Sequence, residues 1–194
     1  MSKNIFITGT GTDIGKTFVT GLIVKKLHES GRSAAYYKAA MSGNERREDG
    51  SLIPGDALYV KTVSGIGQPL EEMCPYIYEN AFSPHLASRI EGNPVQMQVV
   101  KEGFEAVGRK YEYVTMEGSG GILCRLRKRA LAGGTLLHLL GIHQGGQGGR
   151  NRVQLIRQRG AALFLIFERI PAVYTGIFSR RRGKDVPVPE HQLL

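Results

Sequence analysis

The sequence predicts an α/β fold of three layers: a mostly parallel sheet with helices on both faces. Three observations carry this. Short β-rich apolar runs alternate with helix-period segments through residues 1–124, the pattern of strands joined by helical crossovers. Two of the apolar runs, "NIFIT" (Asn4–Thr8) and the one ending in "YVTME" (113–117), lead into glycine-rich loops. Successive strands joined through helices pair in parallel with right-handed connections.

Taken in order, "NIFIT" suits a buried central strand. A helix should follow from about Lys16 to Ser30, with Phe18, Val19, Leu22, Ile23 and Leu27 on one face and Gly31 as its stop. "SAAYYKAA" reads as a second strand ending near Lys38, and the polar, turn-rich "MSGNERREDGSLIPG" as a long loop before a short helix opening near Asp56. After "FSPHLAS", Pro94 should open a helix to about Arg109, with Val100, Phe104 and Val107 at helical spacing. A strand from about Tyr113 to Glu117 closes the readable part. Beyond Cys124, "GGTLLHLLGIHQGGQGGRNRVQLIRQRG" has no clean period, and "AALFLIF" is an apolar run hemmed by arginines, so no element is assigned there.

The 194 residues are enough for one sizeable core, and 41% hydrophobic with 22% charged residues is ordinary for a soluble domain. No apolar run reaches the roughly 20 residues a membrane-spanning helix requires, and the N-terminus lacks a signal-peptide pattern. A cytoplasmic protein is expected. Cys74 and Cys124 form no close-spaced metal pattern and read as buried, reduced thiols. The net charge of +9 is unevenly placed: residues 1–124 hold 13 Lys+Arg against 14 Asp+Glu, and residues 125–194 hold 13 against 3. The basic residues also change from 8 Lys and 5 Arg to 2 Lys and 11 Arg.

The chemistry starts in "GTGTDIGKT" (9–17). A glycine loop between a strand and a helix aims backbone N–H groups at one point, where the helix N-terminus adds partial positive charge, and such a nest fits phosphate. Lys16 would reach the outer phosphates, and the Thr17 hydroxyl is placed to join Mg²⁺ coordination. The usual spacing is G-x-x-x-x-G-K-S/T, whereas Gly9 stands six residues before Gly15. The competing reading is a plain strand-to-helix turn. Mg²⁺ requires oxygen ligands. Asp56 and Glu117 lie at suitable topological places, since ligands gather at the carboxyl ends of parallel strands. An Asp at a helix start is also a common N-cap. Glu117, between an apolar strand and "GSGG", would be poorly solvated without a nearby cation. Lys38, ending an apolar strand, could offset negative charge developing on a phosphoryl group or an acid substrate, or be a surface lysine extending off a strand end.

Together "GTGTDIGKT", "YYKAAMSG", "GDAL", "FSPHLAS" and "MEGSGG" resemble dethiobiotin synthetase, the ATP-dependent cyclising ligase of biotin biosynthesis, over residues 1 to about 124. That P-loop NTPase-like family has a loop widened by one residue, which accounts for the glycine spacing. The resemblance implies carboxylation of one amine of 7,8-diaminopelargonate by CO₂. The carbamate then takes the γ-phosphoryl of ATP, and the second amine closes the ureido ring as phosphate leaves. It places Thr12, Lys16 and Lys38 around carbamate and γ-phosphate, and Ser42 with Thr12 and Lys38 at the substrate. ATP would be held by Asp13, Ile14, Gly15, Lys16, Thr17, Phe18, Asp56, Glu117, Gly118, Ser119 and Gly120, and Mg²⁺ by Thr17, Asp56 and Glu117. It also implies a homodimer. Asp13 stands where the family often has Glu, and Ala39 where Pro is common.

Residues 125–194 depart from the family's pattern. The missing motifs, the Lys-to-Arg switch and the loss of acidic residues read as a frame lost near Cys124, in which case the chain would be an inactive product with unpaired strand edges. The other alternative is a P-loop domain whose tail, through "GGQGGRNR" and "SRRRGK", contacts nucleic acid. Against it, the tail has no RNA-binding motif, so nucleic acid is not an expected partner.

Overall fold

The computed structural model describes residues 2–121, 124–127, 130–131, 152–158 and 161–167. Strands β1 (Lys3–Gly9), β2 (Ala34–Lys38) and β3 (Tyr113–Glu117) form a parallel sheet with β3 in the middle. Helix α1 (Lys16–Glu29) crosses from β1 to β2, and α2 (Gly55–Ser64), a 3-10 turn (Leu70–Glu72), α3 (Pro84–Ile90) and α4 (Met97–Lys110) lie between β2 and β3. Apart from Lys3 and Asn4 at the start of β1, the three strands are buried along their whole length, because both faces are covered.

Alternation along each strand divides the interior in two. Ile5, Ile7, Ala34, Tyr36 and Tyr113 join Ile23, Val24 and Leu27 of α1 and Ala57 and Val60 of α2 on one face. Phe6, Ala35, Tyr37, Val114 and Met116 join Val100, Phe104 and Val107 of α4 on the other. This gives the three layers. Val100, Phe104 and Val107 fall on one stripe of α4, as their spacing predicts. Phe104 meets the Tyr37 ring edge-on at 5.6 Å, and the Tyr37 hydroxyl donates to the Val100 carbonyl at 2.8 Å. Each such buried side chain contributes about 1.5–3 kcal/mol.

Some expectations need correction. On α1, Phe18 and Leu22 are 56% and 43% exposed, and the buried face runs instead through Thr20, Gly21, Ile23, Val24 and Leu27. The helix packs on α2 as well as on the sheet: a Cβ on Gly21 would lie 3.4 Å from the Tyr59 ring. That second contact rotates the inner stripe. Helix α4 starts at Met97, not Pro94; the chain before it is held by Asn93 N–H to Ser88 O and Gln96 N–H to the Tyr76 hydroxyl. No sequence period announces the short helix α3, with Pro84 at its first turn, because seven residues are too few to show one.

The tail, to which the sequence assigns no element, also carries strands. Strands β6 (Arg152–Gln158) and β7 (Ala161–Phe167) form an antiparallel hairpin, and β7 pairs antiparallel with β1 from Ile5↔Phe167 to Gly9↔Leu163. The sheet order is β2-β3-β1-β7-β6, and β4 (Arg125–Arg127) and β5 (Ala130–Leu131) make a separate two-stranded ribbon. Left open, β1 would expose a row of backbone donors and acceptors beside its buried residues 5–8. The "AALFLIF" run satisfies them, and as β7 it is itself paired on both sides, with β1 and with β6. The basic stretches 145–151 and 179–184 lie outside the described residues.

Neither Cys74 nor Cys124 is in a disulfide; Cys74 is buried, which pushes its thiol up to about 12, whereas Cys124 is half-buried and not fully buried as expected. Among the described residues no helix is long and apolar enough to cross a membrane.

Candidate phosphate and metal site

The register of the sheet builds the site. Lys38 of β2 and Ile7 of β1 both pair with Glu117 of β3, so β2 and β3 end level while β1 runs two residues further, to Gly9, and each continues into a loop on the same edge. Lys38 and Glu117 are cross-strand neighbours on one face, shared with Tyr36 two residues earlier.

The loop after β1 turns through two left-handed residues, Asp13 (φ 53°) and Gly15 (φ 87°). Asp tolerates this region better than most residues, and Gly occupies it at no steric cost. Gly15 then caps α1, its carbonyl accepting from Val19 N–H at 3.0 Å. Lys16 folds back over the loop, its ammonium donating to the Gly11 carbonyl at 2.5 Å. Burial, and then the Lys38 charge, lower the Lys16 pKa below the usual lysine value. The "GSGG" loop packs against this turn: Gly118 N–H donates to Ile7 O at 2.8 Å, and Ser119 Oγ to Ala40 O at 2.5 Å. A Cβ on Gly121 would sit 2.8 Å from the Thr10 carbonyl oxygen. Only glycine permits that approach.

Five polar side chains meet below the loop. The Lys38 ammonium donates to Glu117 Oε1 at 2.7 Å and Asp56 Oδ2 at 2.5 Å. The Thr17 hydroxyl lies 2.9 Å from Glu117 Oε1 and 3.2 Å from Asp56 Oδ1. Tyr36 donates its hydroxyl to Glu117 Oε2 at 3.1 Å. Glu117 is 0% exposed and Lys38 5%. Burial works to lower the Lys38 pKa, but the Glu117 and Asp56 carboxylates outweigh it and hold the ammonium above the usual lysine range. Burial, then the Glu117 charge, push the Tyr36 phenol well above its ordinary value, so it stays a donor.

These contacts decide between the open readings. Lys38 is a buried counter-ion, not a surface lysine. Asp56 sits in the first turn of α2, which is capped by Pro54 without a side-chain bond; its carboxylate turns to Thr17 and Lys38 instead. The cation that Glu117 requires is Lys38 itself.

The other candidates surround this cluster. Thr12 and Asp13 are exposed on the loop, and Ile14 packs against the α1 core. Phe18 projects to solvent one residue after Thr17. Ser42 is half-buried four residues past Lys38, and Gly120 turns at φ 69°. Sequence reasoning passed over Tyr36 and Gly121. The signal for Tyr36 was its period-two relation to Lys38; none existed for Gly121, whose contact with Thr10 is tertiary.

The donor set suits a hard cation. Two carboxylates and a hydroxyl are oxygen ligands of the kind Mg²⁺ takes, with phosphate and water supplying the remaining positions. Among the described residues no three His, Cys, Asp or Glu side chains cluster, so a softer metal centre is not offered there.

A family model described as an AAA domain matches residues 3–132. Over 124 residues the chain is 50% identical to ATP-dependent dethiobiotin synthetase BioD of Clostridium botulinum, covering 64% of this chain and 54% of that protein. The enzyme of the same name from Clostridium perfringens is 49% identical over 124 residues, with coverage of 64% and 54%. That from Brachyspira hyodysenteriae is 48% identical over 127 residues, covering 66% and 55%. The chain thus spans about half the length of the curated relatives it matches. Because the family match runs from β1 through both glycine loops and every helix between them, the chain belongs to the AAA domain family.

Proposed function

We propose that this chain carries the catalytic half of an ATP- and Mg²⁺-dependent carbon–nitrogen cyclo-ligase that forms dethiobiotin from 7,8-diaminopelargonate and CO₂. One observation carries the reading: Lys38 stands between Asp56 and Glu117, beside Thr17, directly below a loop over which Lys16 folds. Anionic carbamate and triphosphate repel each other, and bringing them together requires fixed cations and backbone donors at the meeting point.

In this reading the loop N–H groups of residues 13–18 and the Lys16 ammonium bind the phosphates. Thr12 on the loop's exposed side and Lys38 face the carbamate, and Ser42 holds the diamine. Thr17, Asp56 and Glu117 hold Mg²⁺, which when bound neutralises phosphate charge. Residues 118–120 support the nucleotide from the neighbouring loop. The carbamate oxygen attacks the γ-phosphorus, ADP departs, and the second amine displaces phosphate from the carbamic-phosphoric anhydride. Following the resemblance, we place the enzyme in the cytoplasm as a homodimer.

We further infer that residues 1–124 form the catalytic portion and that residues 125–194 are a separate, Arg-rich segment arising from a lost reading frame. The charge reversal between the two portions supports this. Reading the coding DNA in three frames tests it: absence of family motifs in every other frame removes the idea.

The assay is dethiobiotin formation, by mass spectrometry, from diamine, bicarbonate and Mg-ATP. Lys16→Ala and Lys38→Ala should each lose at least about a hundredfold in rate; full activity in Lys16→Ala removes the ligase reading. Binding of a non-hydrolysable ATP analogue gives a second measure that does not need turnover. The Arg-rich tail favours one alternative, nucleic-acid docking, which should weaken steeply with salt. Retention that is absent or independent of salt disposes of it.

A further inference from the structure

We infer that Tyr36 is a positioning residue that fixes which oxygen of Glu117 faces the cation site; this rests on the metal reading above. Glu117 is wholly buried, so water does not satisfy its carboxylate. Its two oxygens are used differently. Oε1 accepts from Thr17 at 2.9 Å and from Lys38 at 2.7 Å, on the side of Asp56. Oε2 accepts from the Tyr36 hydroxyl at 3.1 Å.

A carboxylate held at one oxygen alone can rotate about its terminal bond, since that torsion is broad. Tied at both, it presents Oε1 to Thr17 and Asp56 in one orientation. Tyr36 is itself immobilised. Its backbone N–H donates to Gln68 Oε1 at 2.8 Å, and its carbonyl accepts from Gln68 Nε2 at 3.0 Å, so one side-chain amide imitates a neighbouring strand along the outer edge of β2. Gln68 is 1% exposed and Tyr36 0%. On the inner side Tyr36 pairs with Thr115 of β3. A path of direct contacts therefore runs from Gln68 through Tyr36 to Glu117 and on to Thr17. Residues that orient a metal ligand in this way commonly govern affinity by 10- to 100-fold.

The test uses Tyr36→Phe, which keeps the ring and removes the hydroxyl, in the full chain. Mn²⁺ binding in the presence of a non-hydrolysable ATP analogue is followed by electron paramagnetic resonance. The expected result is a roughly tenfold rise in the Mn²⁺ dissociation constant, with analogue affinity in EDTA unchanged. A merely structural role would move both. Gln68→Met, which loosens Tyr36 without touching Glu117, should shift Mn²⁺ affinity in the same direction and serves if Tyr36→Phe does not fold. Glu117→Gln is the control. If Glu117→Gln loses Mn²⁺ while Tyr36→Phe binds it like the parent, the positioning role is overturned. If neither variant changes Mn²⁺ affinity, the metal assignment is wrong and the inference falls with it.

Discussion

Replacing Lys38 by Met tests whether the cluster at the strand ends is held by its internal cation. The Lys38 side chain is 7% exposed, Glu117 0% and Asp56 38%. Removing the ammonium leaves Glu117 buried without a counter-charge, a loss of about 3–5 kcal/mol for a broken buried pair. The Asp56 contact adds little, because solvent screens a carboxylate that exposed. Glu117 therefore dominates. Urea unfolding of the parent, Lys38→Met, Glu117→Gln and the double variant closes a double-mutant cycle. The double variant should recover much of the loss, since neither charge is then stranded. A divalent cation at a hundred times its dissociation constant should restabilise Lys38→Met by about 2.7 kcal/mol, and by more than it does the parent. The sign with pH follows from the ammonium being held above the lysine value of 10.5. A folded-state value above the unfolded one makes the contribution complete below the unfolded value and lost only as pH rises through the folded one. The parent's advantage over Lys38→Met should be flat from about pH 7 to about pH 10. A stability difference under about 1 kcal/mol, with a coupling energy near zero, would refute the reasoning.

Three further outcomes are expected. Because the Lys16 pKa lies below 10.5, its ammonium is lost earlier than that of an ordinary lysine, so ATP-analogue affinity should fall as pH rises toward that value; Lys16→Arg, which keeps its charge, should show a flatter profile by calorimetric titration. Gly121→Ala pushes a Cβ to 2.8 Å from the Thr10 carbonyl, displacing the phosphate loop; analogue affinity should drop about ten- to a hundredfold, while unchanged affinity means the two loops move independently. Leu165→Pro places a proline in β7, between β1 and β6; the lost ladder bond leaves a partner unsatisfied and should cost about 1–3 kcal/mol in urea, and an unaltered unfolding midpoint would show that β7 does not support β1.

The local sequence determined a good deal. A β-rich run followed by Gly, Thr and Gly-Lys-Thr dictates a strand, an anion-binding turn and a helix start, because each follows from backbone preferences within a few residues. The same holds for β3 and its glycine loop, and for the stripe of Val100, Phe104 and Val107. Lys16, Lys38, Asp56 and Glu117 were legible as one set because topology puts the ends of parallel strands on one edge. What stayed hidden depends on distant partners. The face α1 buries is chosen by α2 through Gly21, and α3 is too short to announce itself.

The tail shows the same limit. "AALFLIF" carries β propensity, but no local signal states that it lies antiparallel beside β1, since that choice is made by the unpaired edge of a strand more than a hundred residues away. The contacts inside the cluster were likewise set by packing. Residue types alone left Asp56 as a cap or a ligand and Lys38 as buried or exposed. A register that sets Lys38 opposite Glu117, with Tyr36 and Thr17 closing around them, buries Lys38 and draws the Asp56 carboxylate to it rather than to the helix end, because a charge buried among strands persists only where its partners are already in place.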